Sequence, residues 1–122
     1  MSDLDLTGRH ILLVEDEYLV ARSFAALLQT WGATVLGPAA TIEQALGLLA
    51  NPERIDVALV DINLRGVRAF PVADALLGRR VPFVFTTGYG TSTIPERYNN
   101  IIVLQKPFHT AALAKALLTL TG

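Results

Sequence analysis

Apolar residues in this chain fall into two patterns, and the contrast between them predicts the elements. His10–Val14, Val57–Val60, Phe83–Thr86 and Ile101–Leu104 are short, nearly unbroken apolar runs. A strand with one face in water alternates apolar with polar residues, so unbroken runs predict strands covered on both faces. Ala33–Leu36 is a shorter strand of the same kind, which Gly37-Pro38 is expected to break. Elsewhere the spacing is three and four. Val20, Phe24, Leu27, Leu28 and Trp31 predict an amphipathic helix from Tyr18, closed by Gly32. Thr41-Ile42-Glu43-Gln44 has the form of a capping box. It opens a helix with Ile42, Ala45, Leu46 and Leu49 inward, ending near Asn51-Pro52. A third helix covers Phe70–Leu77, with Pro71 in its first turn and Gly78 at its end. From Thr110, Ala112, Leu113, Ala116, Leu117 and Leu120 repeat at helical spacing. The stretch from Gly88 to Asn100, with Pro95 inside it, lacks that periodicity, so the fourth helix is expected to be short or irregular, or a loop.

Strand and helix thus alternate along the whole chain. This order predicts an α/β fold: a doubly wound, five-stranded parallel sheet with helices on both faces and right-handed crossovers. Where the strand order of such a sheet reverses, the carboxyl ends of the strands border a crevice.

Composition narrows the picture. With 122 residues, residues 1–122 are expected to form one domain. Hydrophobic residues at 52% and charged residues at 17% are those of a chain that buries a core. No apolar run approaches the roughly 20 residues of a membrane span, and the start, Met1-Ser2-Asp3-Leu4-Asp5, is acidic where a secretory signal is basic. A cytoplasmic protein without a membrane association is expected. The absence of cysteine agrees and excludes thiolate metal sites. A net charge of −1, with no dense Lys/Arg block, argues against a nucleic-acid platform.

The chemistry lies at the predicted strand ends. The first strand ends in Glu15-Asp16, the third in Asp61, the fourth in Thr86-Thr87 and the fifth in Gln105-Lys106-Pro107. Each has an ordinary alternative: Asp61 as a turn residue, Glu15 and Asp16 as helix caps, Thr86 as strand packing. Together, at one rim, they would gather three carboxylates, a hydroxyl and an ammonium. Carboxylates so close repel unless a cation neutralises them. All-oxygen ligation without Cys or well-placed His points to Mg²⁺, which keeps positions open for water or phosphate.

From about His10 to Leu120 these residues resemble the receiver domains of two-component response regulators. The resemblance rests on Glu15-Asp16, on Asp61 followed by Ile62-Asn63-Leu64 and Gly66, on Thr87, and on Lys106-Pro107-Phe108. It implies the flavodoxin-like receiver fold and a signalling domain that is not an enzyme. It further implies that Asp61 accepts a phosphoryl group from a histidine kinase in a phosphorelay. Asp16, Asp61 and the carbonyl of Asn63 would ligate Mg²⁺, Glu15 would reach it directly or through water, and Thr87 and Lys106 would contact phosphoryl oxygens. The family places a cis peptide at the Lys-Pro step.

Pro82–Tyr89 also resembles the signature of the FAT GUY receivers, with Thr86 in place of alanine. That subgroup comprises mainly single-domain regulators paired with HWE-type histidine kinases. Many receivers switch through an aromatic residue in the fifth strand; Val103 stands there, so a switch through Thr87, Gly88, Tyr89 and the irregular segment to Asn100 is expected instead. Leu19 is either a kinase contact or an ordinary exposed apolar residue.

The leading expectation is a stand-alone phosphoryl acceptor acting on an unknown downstream protein, as a monomer or weak homodimer. The alternatives are an unphosphorylated pseudo-receiver used as a docking module and, less well supported, an aspartate-nucleophile phosphatase, for which the Asp-x-Asp-x-Thr sequence is missing.

Overall fold

The computed structural model describes residues 4–51, 54–88 and 94–121. Five strands form one parallel sheet: β1 (His10–Val14), β2 (Thr34–Ala39), β3 (Val57–Asp61), β6 (Phe83–Thr87) and β7 (Ile102–Gln105), in the spatial order β2-β1-β3-β6-β7. Among the described residues four α-helices accompany them: α1 (Tyr18–Thr30), α2 (Ile42–Ala50), α3 (Phe70–Gly78) and α4 (Thr110–Thr121). This is the flavodoxin-like receiver fold. Its strand order reverses between β1 and β3, which sets the crevice at their carboxyl ends.

The unbroken apolar runs are explained by what lies on either side of the sheet. Successive strand residues face opposite ways. Leu12, Val14, Ala58, Val60, Phe83 and Phe85 enter a core shared with Ala45 and Leu49 of α2 and Val72, Ala73 and Leu76 of α3. Ile11, Leu13, Val57, Leu59 and Val84 enter a second core with Ala21 and Leu28 of α1 and Leu113, Ala116 and Leu117 of α4. All five residues of β3 are buried. Leu4 and Leu6 also join the second core, and Leu6 donates its N–H to the Trp31 carbonyl at 2.7 Å.

Several expectations change. Gly37-Pro38 does not break β2, which runs through both residues to Ala39. Pairing slips there: Leu12 faces Leu36 while Val14 faces Ala39, so β2 carries one extra residue. Because β2 is an edge strand and the slip leaves Pro38 out of the pairing with β1, the N–H that Pro38 lacks costs no ladder bond. Gly37 has φ +103, and a Cβ there would lie 2.7 Å from the Leu13 carbonyl oxygen, so the bulge demands glycine. Leu46 is not inward but partly exposed on α2; Leu48 packs against the core instead. Thr41 does cap α2, accepting from Gln44 N–H at 3.1 Å, while the Gln44 side chain accepts from Ala40 N–H at 2.8 Å rather than from the cap itself.

After β3 comes a small antiparallel hairpin of β4 (Asn63–Leu64) and β5 (Val67–Arg68). Its two turn residues, Arg65 and Gly66, both have positive φ, +53 and +81, the condition of a two-residue type I′ turn. Leu64 is buried beneath it, and Ala69 N–H returns to the Ile62 carbonyl at 2.7 Å, seating the hairpin on the sheet.

Between β6 and β7 the described residues hold only one 3₁₀ turn, Glu96–Tyr98. Tyr98 is buried among Phe70 and Phe85, and its hydroxyl donates to Asp74 Oδ1 of α3 at 2.5 Å. Arg97 grips the same carboxylate with both Nε and a terminal nitrogen, at 2.9 and 3.2 Å. The connection is thereby tied to α3. The hydrogen bonds from Arg97, then Tyr98, hold the Asp74 carboxyl below its ordinary 3.8, while burial, aided by the Asp74 bond, pushes the Tyr98 phenol up to about 12. A carboxyl lowered on folding contributes stability that is full above its unfolded value and lost as pH falls through its lower folded value. The urea midpoint of wild type should therefore exceed that of Asp74→Asn at about pH 6, with the gap narrowing towards about pH 3. A gap independent of pH would show that the carboxylate charge has no part in this tie.

Candidate functional site

The site is assembled where the strand order reverses. Strand β1 delivers Glu15 and Asp16, β3 ends in Asp61, β6 ends in Thr87, and Lys106 follows β7. Neighbouring registers fix their relative heights: Val14 pairs Val60, Asp61 pairs Thr86, and Thr87 pairs Gln105. Lys106 N–H donates to the Thr87 carbonyl at 2.7 Å, and the Lys106–Pro107 peptide is cis.

Glu15, Asp16 and Asp61 each place a carboxylate oxygen within 4.8 Å of the others. Glu15 and Asp61 are nearly enclosed, at 2% and 5% exposure. The Lys106 ammonium sits between them, donating to Glu15 Oε1 at 2.8 Å and to Asp61 Oδ2 at 2.9 Å. Backbone groups hold three of the other four oxygens. Glu17 N–H donates to Glu15 Oε2 at 3.1 Å, Asn63 N–H to Asp61 Oδ1 at 3.0 Å, and Arg65 N–H to Asp16 Oδ2 at 2.9 Å. Asp16 thus reaches across the crevice to the hairpin rather than capping α1, while Glu15 does bond the residue that opens that helix.

Burial pushes the Glu15 carboxyl up to about 7, reinforced by the Asp61 charge and opposed by Lys106 and the Glu17 N–H. Burial is also the largest influence on Lys106, where it acts downward, yet the bonds to Glu15 and Asp61 outweigh it and raise the ammonium. The site therefore concentrates desolvated negative charge, partly compensated by one cation.

Above these groups opens a cleft of about 390 Å³ lined by Asp16, Asp61, Asn63, Thr87, Gly88 and Lys106, together with Glu17 and the hairpin. Of the strand-end residues, Asp16, Asp61, Thr87 and Lys106 line this one mouth and Glu15 lies against Asp61 and Lys106 beneath it, whereas Gln105 does not line it. Thr86 is buried strand packing, the ordinary alternative for that residue. Tyr89 lies outside the described residues. Two cationic residues of the hairpin, Arg65 and Arg68, also line the cleft and had no assigned role; the only signal was their position just after Asp61 on either side of Gly66. Three hard oxygen donors around one point, short of cations, suit Mg²⁺ by charge and by ligand type.

Leu19 is 74% exposed at the edge of a neighbouring groove formed by Val20, Phe24, Pro107 and Phe108. Val103 is half-exposed on β7, so no aromatic ring stands at that place to rotate inward. Among the described residues no helix is long and apolar enough to cross a membrane.

Comparison with known proteins agrees with this geometry. The family model of the response regulator receiver domain matches residues 11–118. The chain is 34% identical over 106 residues to the phyllosphere-induced regulator PhyR of Methylorubrum extorquens, a match that covers 83% of this chain and 39% of PhyR. It thus spans well under half the length of that relative. The solution structure of SdrG from Sphingomonas melonis Fr1 superposes with a TM-score of 0.81 at 41% identity, covering 92% of this chain and 95% of SdrG. The BeF₃-activated conformation of SdrG from Pseudomonas melonis Fr1 superposes with a TM-score of 0.77 at 40% identity, covering 93% and 96%. With its strand order, its acidic crevice and a family match running from β1 into α4, the chain belongs to the response regulator receiver domain family.

Proposed function

We propose that this receiver accepts a phosphoryl group on Asp61 from a histidine kinase in a Mg²⁺-dependent step, and signals through protein–protein contacts. The observation that carries this reading is the placement of Asp61, a nearly enclosed carboxylate at the floor of an open cleft, with Lys106 on one oxygen and Asn63 N–H on the other. Receiver domains generally bind Mg²⁺ at such an acidic pocket. The ion, held by Glu15, Asp16, Asp61 and the Asn63 carbonyl, would neutralise the charge that gathers on the phosphoryl oxygens.

The chain's own residues do the rest by positioning. An Asp61 oxygen forms the new O–P bond while the P–N bond of a phosphohistidine breaks. The imidazole nitrogen departs with the bonding pair and is protonated. Because a carboxylate is the nucleophile, no general base is required. Lys106, already hydrogen-bonded to Asp61 Oδ2, supplies a fixed positive charge, and Thr87 lines the same cleft, where its hydroxyl would donate to a phosphoryl oxygen. The BeF₃-activated state of SdrG, at 40% identity, supports an activation by a phosphoryl-like group here too.

The Pro82–Tyr89 signature favours a kinase of the HWE type, and the absence of cysteine agrees with action in the cytoplasm. The downstream partner would read the surface around Thr87 and Gly88. Incubation with Mg²⁺ and acetyl phosphate, followed by intact-mass measurement, tests the proposal. One added phosphoryl group is expected, suppressed by EDTA. An unmodified chain would favour a docking module, and rapid repeated turnover of phosphate esters would favour a phosphatase.

A further inference from the structure

The hairpin that follows Asp61 contributes charge to the cleft, and Arg68 is the residue it points to. Arg68 lies on β5 opposite Asn63, is exposed, and lines the cleft that holds Asp61, Thr87 and Lys106. Arg65 also borders a separate groove beside α2, whereas Arg68 borders the acidic cleft alone. The Arg68 guanidinium lies 5.9 Å from the centre of the Phe70 ring, a contact that narrows its range of positions. Among the described residues Arg68 forms no ion pair, while Lys106 is committed to both Glu15 and Asp61.

An approaching phosphodonor is an anion. It meets Asp16, Glu17 and Asp61 at the mouth with Glu15 beneath, four carboxylates against which a bound Mg²⁺ would supply two positive charges and Lys106, already shared between Glu15 and Asp61, a third. Capture of a dianionic group therefore calls for positive charge at the rim that is not spent on the floor. A guanidinium suits this task because its planar fork pairs with two phosphoryl oxygens at once.

We propose that Arg68 is a phosphodonor-recognition residue: it binds the anionic phosphoryl end of the donor at the cleft rim and so sets the concentration at which Asp61 is loaded. The proposal rests on the reading of Asp61 as phosphoryl acceptor and adds no covalent step to it. Arg68 acts on the encounter and on binding, so its effect falls on half-saturation more than on the rate at saturation.

The test uses the full chain with Mg²⁺ and follows the initial rate of phosphoryl incorporation against acetyl phosphate concentration, at low and raised salt. Arg68→Ala should raise the half-saturating concentration about five- to tenfold and flatten the salt dependence; Arg68→Lys, which keeps the charge, should recover part of both. Circular dichroism should show all three proteins folded alike, as expected for an exposed side chain. A modified wild type alongside an Arg68→Ala protein with the same half-saturation and the same salt dependence overturns this inference alone. A wild type that takes up no phosphoryl group overturns the acceptor reading, and this one with it.

Discussion

Asp61→Asn takes up no phosphoryl group from acetyl phosphate under conditions in which the wild-type chain is modified once: this is the largest functional effect the geometry predicts. The substitution keeps the shape of the side chain and replaces a charged nucleophile with an amide, whose oxygen is a far weaker one. It should leave the fold in place. Lys106 retains its bond to Glu15 at 2.8 Å, and Asn63 N–H can still donate to the amide oxygen as it does to Asp61 Oδ1 at 3.0 Å. Intact-mass measurement reads the result, with circular dichroism as the check on folding. Modification of the Asn variant to the wild-type extent would move the acceptor to Glu15 or Asp16, the other carboxylates within 4.8 Å.

Phe85→Ala should cost about 3–5 kcal/mol, the range for removing a fully buried aromatic ring from a core. Phe85 is completely enclosed and sits at the hub of an aromatic cluster, 5.2 Å from Phe83, 6.3 Å from Phe70 and 5.4 Å from Tyr98, centroid to centroid. Three of these rings come from different elements, β6, α3 and the 3₁₀ turn, so the cavity cannot collapse without moving one of them. Against a typical domain stability of about 5–15 kcal/mol, the loss is a large fraction of the total. It should also loosen the tie between Tyr98 and Asp74 that anchors the β6–β7 connection. Urea unfolding measures the first effect. A loss below about 1 kcal/mol would mean that the ring is replaced by repacking, against the geometry described.

The fold was legible because its signals were redundant. Unbroken apolar runs and three-and-four spacing each predicted the same alternation, and burial on both sheet faces is what makes those runs unbroken. Gly37-Pro38 was misread because a local breaker signal does not say that β2 lies at the sheet edge, where a bulge and a proline are tolerated. Leu46 was misplaced inward by helical spacing alone, which cannot tell how far around α2 the core extends. Leu4 and Leu6 alternate with aspartates, a pattern that could have predicted the burial of the N-terminal stretch.

The site was legible in its strand-end residues, since the topology of a parallel sheet brings those ends together. Its hydrogen bonds were not. That Asp16 reaches the Arg65 N–H, or that Tyr98 is buried against Asp74, depends on turns and contacts that no spacing rule encodes. The same holds for Arg68, whose place at the cleft follows from the hairpin turn at Arg65-Gly66.

The central claim is that residues distant in the chain form a single mouth for a hard cation. Titration of the amide NMR spectrum with Mg²⁺ tests it most directly. Saturable shifts centred on Glu15, Asp16, Asp61, Asn63, Arg65 and Lys106, lost in Asp16→Asn, are predicted. Absence of saturation, or shifts scattered over the surface acids and unchanged in Asp16→Asn, would contradict it.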